Sequence, residues 1–238
     1  MTALSTYENA TLAAGIRSRF VDNHNGLTMH VLEAGFERPG RPCVLLLHGF
    51  PELAYSWRKI MLPLAEAGYY VIAPDQRGYG RTTGWDRDYD GDVGSFRMLN
   101  LVRDVLGLLA ALGQRSVAAV FGHDSGSFVA GSCALIRPDI FRSVALMSAP
   151  FAGPPPLPFN SAKGAAETTP IRDIHADLAA LARPRKHYQW YYSTRPANND
   201  MQKCPQGVHA FMRVEIIKPM TSATINSTIE KPRMTGNA

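Results

Sequence analysis

The most informative segment for chemistry is Gly122-His-Asp-Ser-Gly126, in which glycines stand two residues before and two residues after an aspartate. It joins an apolar run at 117–121 to a helical pattern rich in small residues at 125–136. Such glycines let the chain turn sharply from strand to helix without a Cβ collision, which leaves the central side chain exposed. The pattern predicts a nucleophile elbow centred on Asp124. A helix N-cap is the alternative interpretation, since aspartate at a helix start accepts amide hydrogen bonds.

A second segment, His48-Gly-Phe-Pro51, follows another apolar run at 43–47. The backbone amides of Phe50 and Ser125 are expected to converge above Asp124 and hold an oxyanion there. His48, at a strand end, is the alternative candidate for a general base. The position favours a structural role beside the oxyanion turn.

A third segment, Asp75-Gln-Arg-Gly-Tyr-Gly-Arg81, follows the apolar run at 69–73. These three segments, in this order and spacing, resemble the α/β-hydrolase superfamily and, within it, the epoxide hydrolases. Sequences of that family carry similar His-Gly-Phe-Pro-Glu, Asp-Gln-Arg-Gly-Tyr-Gly and Gly-His-Asp-Trp-Gly stretches. The resemblance covers about residues 20–214.

The resemblance implies a covalent mechanism, in which the Asp124 carboxylate attacks an epoxide carbon while a lid tyrosine donates a hydrogen bond to the leaving oxygen. That tyrosine is Tyr188, by the likeness of His187-Tyr-Gln-Trp-Tyr-Tyr192 to the corresponding lid segment of the family. The alternative is that Tyr188 and its neighbours are only the apolar face of a lid helix. The residues expected to line the substrate pocket are His48, Pro51, Gln189, Trp190 and Tyr191.

The chain departs from the family in its last part. The family supplies a general-base histidine and an acid from loops after the last two strands of the sheet, beyond the lid. None of the seven histidines here follows a buried strand downstream of the lid. We therefore expect a truncated chain without the last two strands, which forms the ester and hydrolyses it slowly. The apolar run at 143–147 would then be an exposed sheet edge, at which self-association is expected.

Two other functions stay open. Haloalkane and haloacid dehalogenases use the same aspartate, but usually beside Trp or Arg to hold the halide, where this chain has Ser125 and Ser127. Trp190 is the obvious halide donor in that alternative. The other alternative is a non-catalytic remnant.

The elements that must position these residues follow from the apolar patterns. Continuous apolar runs are typical of strands buried on both faces of a parallel sheet, and an Asn-Gly pair at 25–26 predicts an antiparallel hairpin at the start. Helical patterns alternate with the runs. We predict the α/β-hydrolase fold, with a mainly parallel sheet and helices on both faces. The strands are expected at 17–22, 27–33, 43–47, 69–73, 117–121 and 143–147, and the helices at 55–66, 96–112 and 125–136.

Three regions are expected along the chain: a core at 1–149, a partial helical lid at 150–217 and a disordered tail at 218–238. A proline-rich linker at 151–158 leaves the sheet, and helical patterns follow at 173–182, 186–192 and 208–217. The tail is rich in Thr, Ser, Asn and Pro and has almost no apolar periodicity.

Composition excludes several classes. The net charge is +5, but lysines and arginines are scattered without a basic block, which disfavours nucleic-acid binding. No stretch approaches the ~18 apolar residues of a membrane span, and the start does not resemble a signal peptide, so a cytoplasmic protein is expected. Three widely spaced cysteines give no metal pattern, and no glycine loop for phosphates is present, so no cofactor is predicted. The expected partner is a small apolar epoxide.

Overall fold

The computed structural model describes residues 11–149, 151, 153, 173–182, 187–205, 207–208 and 210–212, apart from the side chains of Ile174, His175 and Trp190. The chain divides into two compact units, Met1–Leu157 and Pro158–Ala238. The predicted tail at 218–238 and most of the predicted linker at 151–158 lie outside the described residues. The three-region division stays a prediction.

A six-stranded mixed sheet forms the centre of the first unit. The strands run in the order β1-β2-β4-β3-β5-β6. The β1–β2 and β2–β4 pairs are antiparallel, and the other three pairs are parallel. This confirms the predicted mainly parallel sheet with an antiparallel start. The strands are β1 Ile16–Asp22, β2 Thr28–Ala34, β3 Cys43–Leu47, β4 Tyr70–Pro74, β5 Ala119–His123 and β6 Val144–Met147.

Helices cover both faces of the sheet, which explains the continuous apolar runs. Successive side chains of a strand point to opposite faces, so a strand buried on both sides needs an apolar residue at each position. Leu45 belongs to the same buried cluster as Val105 and Val129, whereas its neighbour Leu46 belongs to a second cluster with Met61. The helices are α1 Arg58–Glu66, α2 Met98–Ala111 and α3 Ser125–Ile136, and 3-10 turns Ala54–Trp57 and Val93–Phe96 precede the first two.

The connection between β1 and β2 differs from the expected tight turn. Five residues, 23–27, separate the strands, and the positive φ angles fall on His24 (54°) and Gly26 (81°), whereas the expected turn needs them on both Asn25 and Gly26. The reason is the Asn23 side chain, which is fully buried. Its oxygen accepts the amides of Asn25 (2.9 Å) and Leu27 (3.1 Å) and holds a wider turn.

Two buried carboxylates stabilise this unit through ion pairs, and both lie outside the turn at Asp124. The Glu33 carboxylate is wholly buried and accepts hydrogen bonds from Arg17 (2.8 Å), Arg19 and Tyr70. Burial alone would raise the pKa of Glu33, but the bonds from the two guanidinium groups and the phenol outweigh it and lower that pKa. The second carboxylate is that of Asp104 in α2, whose two oxygens lie 2.7 and 2.8 Å from Arg77 Nε and Nη2 and which also accepts from the side-chain amides of Asn23 and Asn25.

The second unit is small. It contains α4 Ile174–Ala179, α5 Tyr188–Tyr192 and α6 Arg195–Lys203. The first two are shorter than the predicted helices at 173–182 and 186–192, and α6 was not predicted, because it is polar and carries Pro196. Proline is tolerated in the first turn of a helix. The predicted helix at 208–217 lies only partly within the described residues. In the described part of the chain, no helix is long and apolar enough to cross a membrane.

Strand β6 forms one border of the sheet within the described ranges. It pairs with β5, and no described strand lies on its other side. Val144 and Leu146 are 42% and 37% exposed, so an apolar edge is open as predicted. Self-association through this edge stays a prediction.

Candidate active site

A single strained residue makes the turn between β5 and α3. Strand β5 ends at His123 and α3 begins at Ser125, so the whole change of direction falls on Asp124, with φ 51° and ψ −122°. A positive φ is uncommon for a residue other than glycine, and such strain clusters at functional sites. Asp124 is half-buried, at the end of the strand.

Three glycines lie around this turn, each at a position that has no room for a Cβ atom. A Cβ on Gly122 would lie 2.4 Å from the carbonyl oxygen of Gly126, and one on Gly126 would lie 2.4 Å from that of Leu47. A Cβ on Gly49 would lie 2.4 Å from the Cβ of Asp124. The first two glycines were expected from their spacing. The need for Gly49 was not, because it arises from a segment more than seventy positions away in the chain.

Hydrogen bonds to strand β6 and within the start of α3 stabilise the turn. The Asp124 amide donates to the Met147 carbonyl at 2.9 Å. The buried hydroxyl of Ser127 lies 2.8 Å from the Gly122 carbonyl oxygen and 3.0 Å from that of Met147. Ser127 therefore links the ends of β5 and β6 to α3, and its hydroxyl is engaged in hydrogen bonds to the backbone.

The predicted oxyanion donors come from two different segments of the chain. The Phe50 amide donates to Asp124 Oδ1 at 3.0 Å, so this donor already faces the carboxylate. The Ser125 amide is the first of α3 and has no partner within the helix. A helix N-terminus also favours negative charge. Pro51, predicted in the pocket wall, follows Phe50 through a cis peptide bond and is exposed.

His48 is wholly buried beneath the turn, with both ring nitrogens in use. Its Nε2 accepts the Gln76 amide at 3.1 Å, so Nδ1 must carry the proton that is donated to the Gly49 carbonyl at 2.9 Å. Burial lowers the pKa of His48 and keeps the ring neutral. These contacts favour the structural interpretation over a general base. Its place in the pocket wall stays a prediction.

Two other histidines of the first unit also have partners away from the carboxylate of Asp124. His123 Nδ1 lies 3.1 Å from Glu52 Oε2. His30 is fully buried, with Nε2 at 2.8 Å from the Ser18 hydroxyl and Nδ1 at 2.8 Å from Asp75 Oδ2.

The Asp75 carboxylate is a buried hydrogen-bond acceptor with a structural role that the sequence did not predict. It is fully buried, and it accepts the amides of Ala54 (2.9 Å) and Arg81 (3.0 Å) as well as the His30 ring. Burial would raise the pKa of Asp75, but these hydrogen bonds lower it. Asp75 thus fixes the loops after β3 and β4 against each other beneath the turn.

Tyr79 is a site residue to which the sequence assigned no role. Its ring packs edge-on against the His48 ring, with the centroids 4.9 Å apart. Burial raises the pKa of Tyr79, the Ser125 side chain lowers it and the charge of Asp124 raises it, with a net increase. The signal in the sequence was its place between two glycines of the third motif.

The predicted lid residues differ in exposure. Tyr188 begins α5, is 48% exposed and stacks on His187, and Gln189 is exposed. Tyr191 is buried in the second unit, and its hydroxyl donates to Asp200. The Trp190 side chain lies outside the described part of the chain. The pocket roles of these residues, and the role of Tyr188, stay predictions.

Comparisons with known proteins agree with the motifs and the sheet. A family model described as alpha/beta hydrolase fold matches residues 42–170, more than half of the chain. An epoxide hydrolase of Caballeronia sordidicola is 43% identical over 127 residues, or 53% of this chain. Epoxide hydrolase B of Mycobacterium tuberculosis is 37% identical over 178 residues, or 73% of this chain. The predicted resemblance is confirmed.

The solved structure of potato (Solanum tuberosum) epoxide hydrolase I is similar to 84% of this chain, with 33% identity and a TM-score of 0.61. The match covers 56% of the potato chain. The chain spans 36% of the Caballeronia protein and 46% of the Mycobacterium protein, less than half of either. The predicted α/β-hydrolase fold is confirmed.

Proposed function

Because the chain belongs to the alpha/beta hydrolase fold family, we propose that it acts as an epoxide hydrolase-like hydrolase with Asp124 as the covalent nucleophile. The similar proteins named epoxide hydrolases support the choice of substrate. The observation that carries the proposal is the strained turn, which holds the carboxylate of the half-buried Asp124 against the Phe50 amide at 3.0 Å.

In the first step, an oxygen of the Asp124 carboxylate attacks an epoxide carbon. A C–O bond of the ester forms, the C–O bond of the ring breaks, and the electron pair goes to the ring oxygen. That oxygen takes a proton from a donor, a role that we assign to the exposed phenol of Tyr188. A carboxylate suits this step because it needs no base to become a nucleophile. Its Oδ1 is already held by Phe50, which leaves Oδ2 for attack.

In the second step, water attacks the ester carbonyl, and the amides of Phe50 and Ser125 hold the resulting oxyanion. This step needs a base to take a proton from the water. His30, His48 and His123 each hold other partners, and His30 and His48 are fully buried. We therefore propose that in these 238 residues the ester forms and is released slowly.

The test is intact-protein mass spectrometry after incubation of the full chain with styrene oxide. We expect a stable mass increase of one epoxide per chain, located on the peptide that contains Asp124. Asp124→Asn should remove the adduct. Asp139→Asn is the matched control, because Asp139 is an exposed carboxylate paired with Arg137 on the surface.

The possible outcomes separate the alternatives. An unmodified chain after long incubation would contradict a nucleophilic Asp124 and favour the non-catalytic alternative. Diol production over many turnovers without an adduct would contradict slow release. Halide release from a chloroalkane, lost in Asp124→Asn, would favour the dehalogenase alternative.

A further inference from the structure

Three side chains apart from Asp124 are joined by consecutive hydrogen bonds in the first unit. Ser18 Oγ in β1 lies 2.8 Å from His30 Nε2 in β2. His30 Nδ1 lies 2.8 Å from Oδ2 of Asp75, the residue directly after β4. Serine, histidine and aspartate with these contacts have the geometry of a serine-nucleophile triad, which is recognised by the roles of its members and not by their positions in the sequence.

The order of the strands brings these residues together. Strand β2 lies between β1 and β4. Ser18 pairs with Leu32 across β1 and β2, so His30, two residues before Leu32, is the diagonal neighbour of Ser18 on the same face of the sheet. On the other side of β2, the Asp75 amide donates to the His30 carbonyl at 2.9 Å. The register of three adjacent strands therefore fixes the spacing of the three side chains.

The hydrogen bonds define where the protons lie. The hydrogen bonds that Asp75 accepts lower its pKa, so its carboxylate is ionised and only accepts. His30 must therefore carry a proton on Nδ1, and in the neutral ring Nε2 is an acceptor. The Ser18 hydroxyl donates to that acceptor. The imidazole is thus placed to take the Ser18 proton, and Asp75 would stabilise the positive ring that results.

Burial differs among the members of the triad. His30 and Asp75 are fully buried, whereas Ser18 is half-buried on β1, which pairs only with β2 among the described strands. The two buried members are fixed by other contacts. Asp75 also accepts two backbone amides, and the His30 amide donates to Thr82 Oγ1 at 3.0 Å. A reagent from solvent would therefore meet the triad at Ser18, with the base and its acid already oriented behind it.

We propose that Ser18, His30 and Asp75 form a second nucleophilic site, at which Ser18 takes the acyl group of an aryl ester. The Ser18 oxygen forms a bond to the ester carbonyl carbon while its proton passes to His30 Nε2. The bond between that carbon and the phenolate oxygen then breaks, and the phenolate takes the proton from His30. Aryl esters fit this site because a phenolate is a good leaving group. The inference is independent of the proposed function, since Asp124 takes no part in it.

The experiment incubates the full chain with para-nitrophenyl acetate and follows acetylation by intact mass, with each acetyl group located by fragmentation. We expect Ser18 to be acetylated faster than Ser116, which is exposed and would react first if exposure alone decided. His30→Gln should slow acetylation of Ser18 by about a hundredfold, a usual contribution of a general base. Ser18→Ala should remove that acetyl group, and Ser116→Ala is the matched control that keeps it.

Denaturation supplies a test without a substitution. Guanidinium chloride separates the three strands, so in the unfolded chain Ser18 should react at the rate of Ser116. A thermal melt checks that each variant folds, and the comparison of the native and unfolded wild type decides if His30→Gln does not fold. Acetylation of Ser18 that is no faster than that of Ser116 in the native wild type would overturn the second site. Undiminished acetylation of Ser18 in a folded His30→Gln would overturn it as well.

Discussion

Replacing Asp124 by alanine and by glycine separates the strain of its backbone from the contribution of its carboxylate. Both variants lose the hydrogen bond from the Phe50 amide, so that loss cancels in the comparison. Alanine keeps the cost of the positive φ of 51°, whereas glycine adopts this conformation without a Cβ collision. The difference in unfolding free energy between the two variants therefore measures the conformational cost of the backbone at position 124.

The magnitude follows from two opposing effects. Strain in a sparsely populated backbone region costs about 1 to 3 kcal/mol, and glycine removes it. Glycine also makes the unfolded chain more flexible than alanine does, which costs about 0.4 to 1 kcal/mol. We expect Asp124→Gly to be more stable than Asp124→Ala by about 1 kcal/mol, a shift of roughly 2 to 4 °C in Tm for a chain of this size.

The assay is urea unfolding of the full chain followed by circular dichroism, with the midpoint and slope fitted for each variant. Arg103, exposed near the middle of α2, supplies the control pair. In ordinary helical backbone the order reverses, and Arg103→Gly should be less stable than Arg103→Ala by about 1 kcal/mol. If Asp124→Ala equals or exceeds Asp124→Gly in stability, the turn is not strained and the reasoning fails.

Two further predictions concern the buried carboxylates. The pKa of Glu33 is lowered in the folded chain, so its contribution to stability is present above the ordinary glutamate value and is lost as the pH falls through the lowered one. In Glu33→Gln, the urea midpoint should fall less steeply as the pH is lowered. An unchanged dependence of the midpoint on pH would contradict the lowering of the Glu33 pKa by Arg17 and Arg19. Arg77→Met should destabilise the chain by about 3 kcal/mol, because it leaves the buried Asp104 charge with only the side-chain amides of Asn23 and Asn25 as partners and no counter-charge. Arg137→Met, at an exposed pair, should change stability by less than about 1 kcal/mol, and similar losses in both variants would refute the distinction.

The sheet was predictable from the sequence because its middle strands are buried on both faces. A run such as 43–47 must be apolar at every position, and the pattern shows this without any knowledge of its neighbours. The polar helix α6 gave no such signal, since its stability depends on the packing of Ala197 against Tyr191 and Phe211. A periodic pattern of apolar residues reveals the elements that bury an apolar face, and it misses a helix whose residues are mostly polar.

The turn at Asp124 was predictable because its two flanking glycines are local. The roles of Gly49 and Tyr79 were not, since each arises where distant segments meet. Gly49 is required by the approach of the loop after β3 to Asp124. Tyr79 enters the site only because the loop after β4 lies against His48. A single sequence shows which residues occupy a motif, whereas the contacts between motifs depend on the assembled sheet.

The hydrogen bonds of Asp75 have a consequence for motion. One buried carboxylate accepts the amides of Ala54, after β3, and of Arg81, after β4, so neither loop can separate from it without disturbing the other. A fluctuation that withdraws Asp75 would expose both amides to solvent in a single opening event, and their exchange with solvent hydrogen would be correlated. The loop that supplies the Phe50 amide and the loop that supplies the Tyr79 phenol would therefore fluctuate as one cooperative unit.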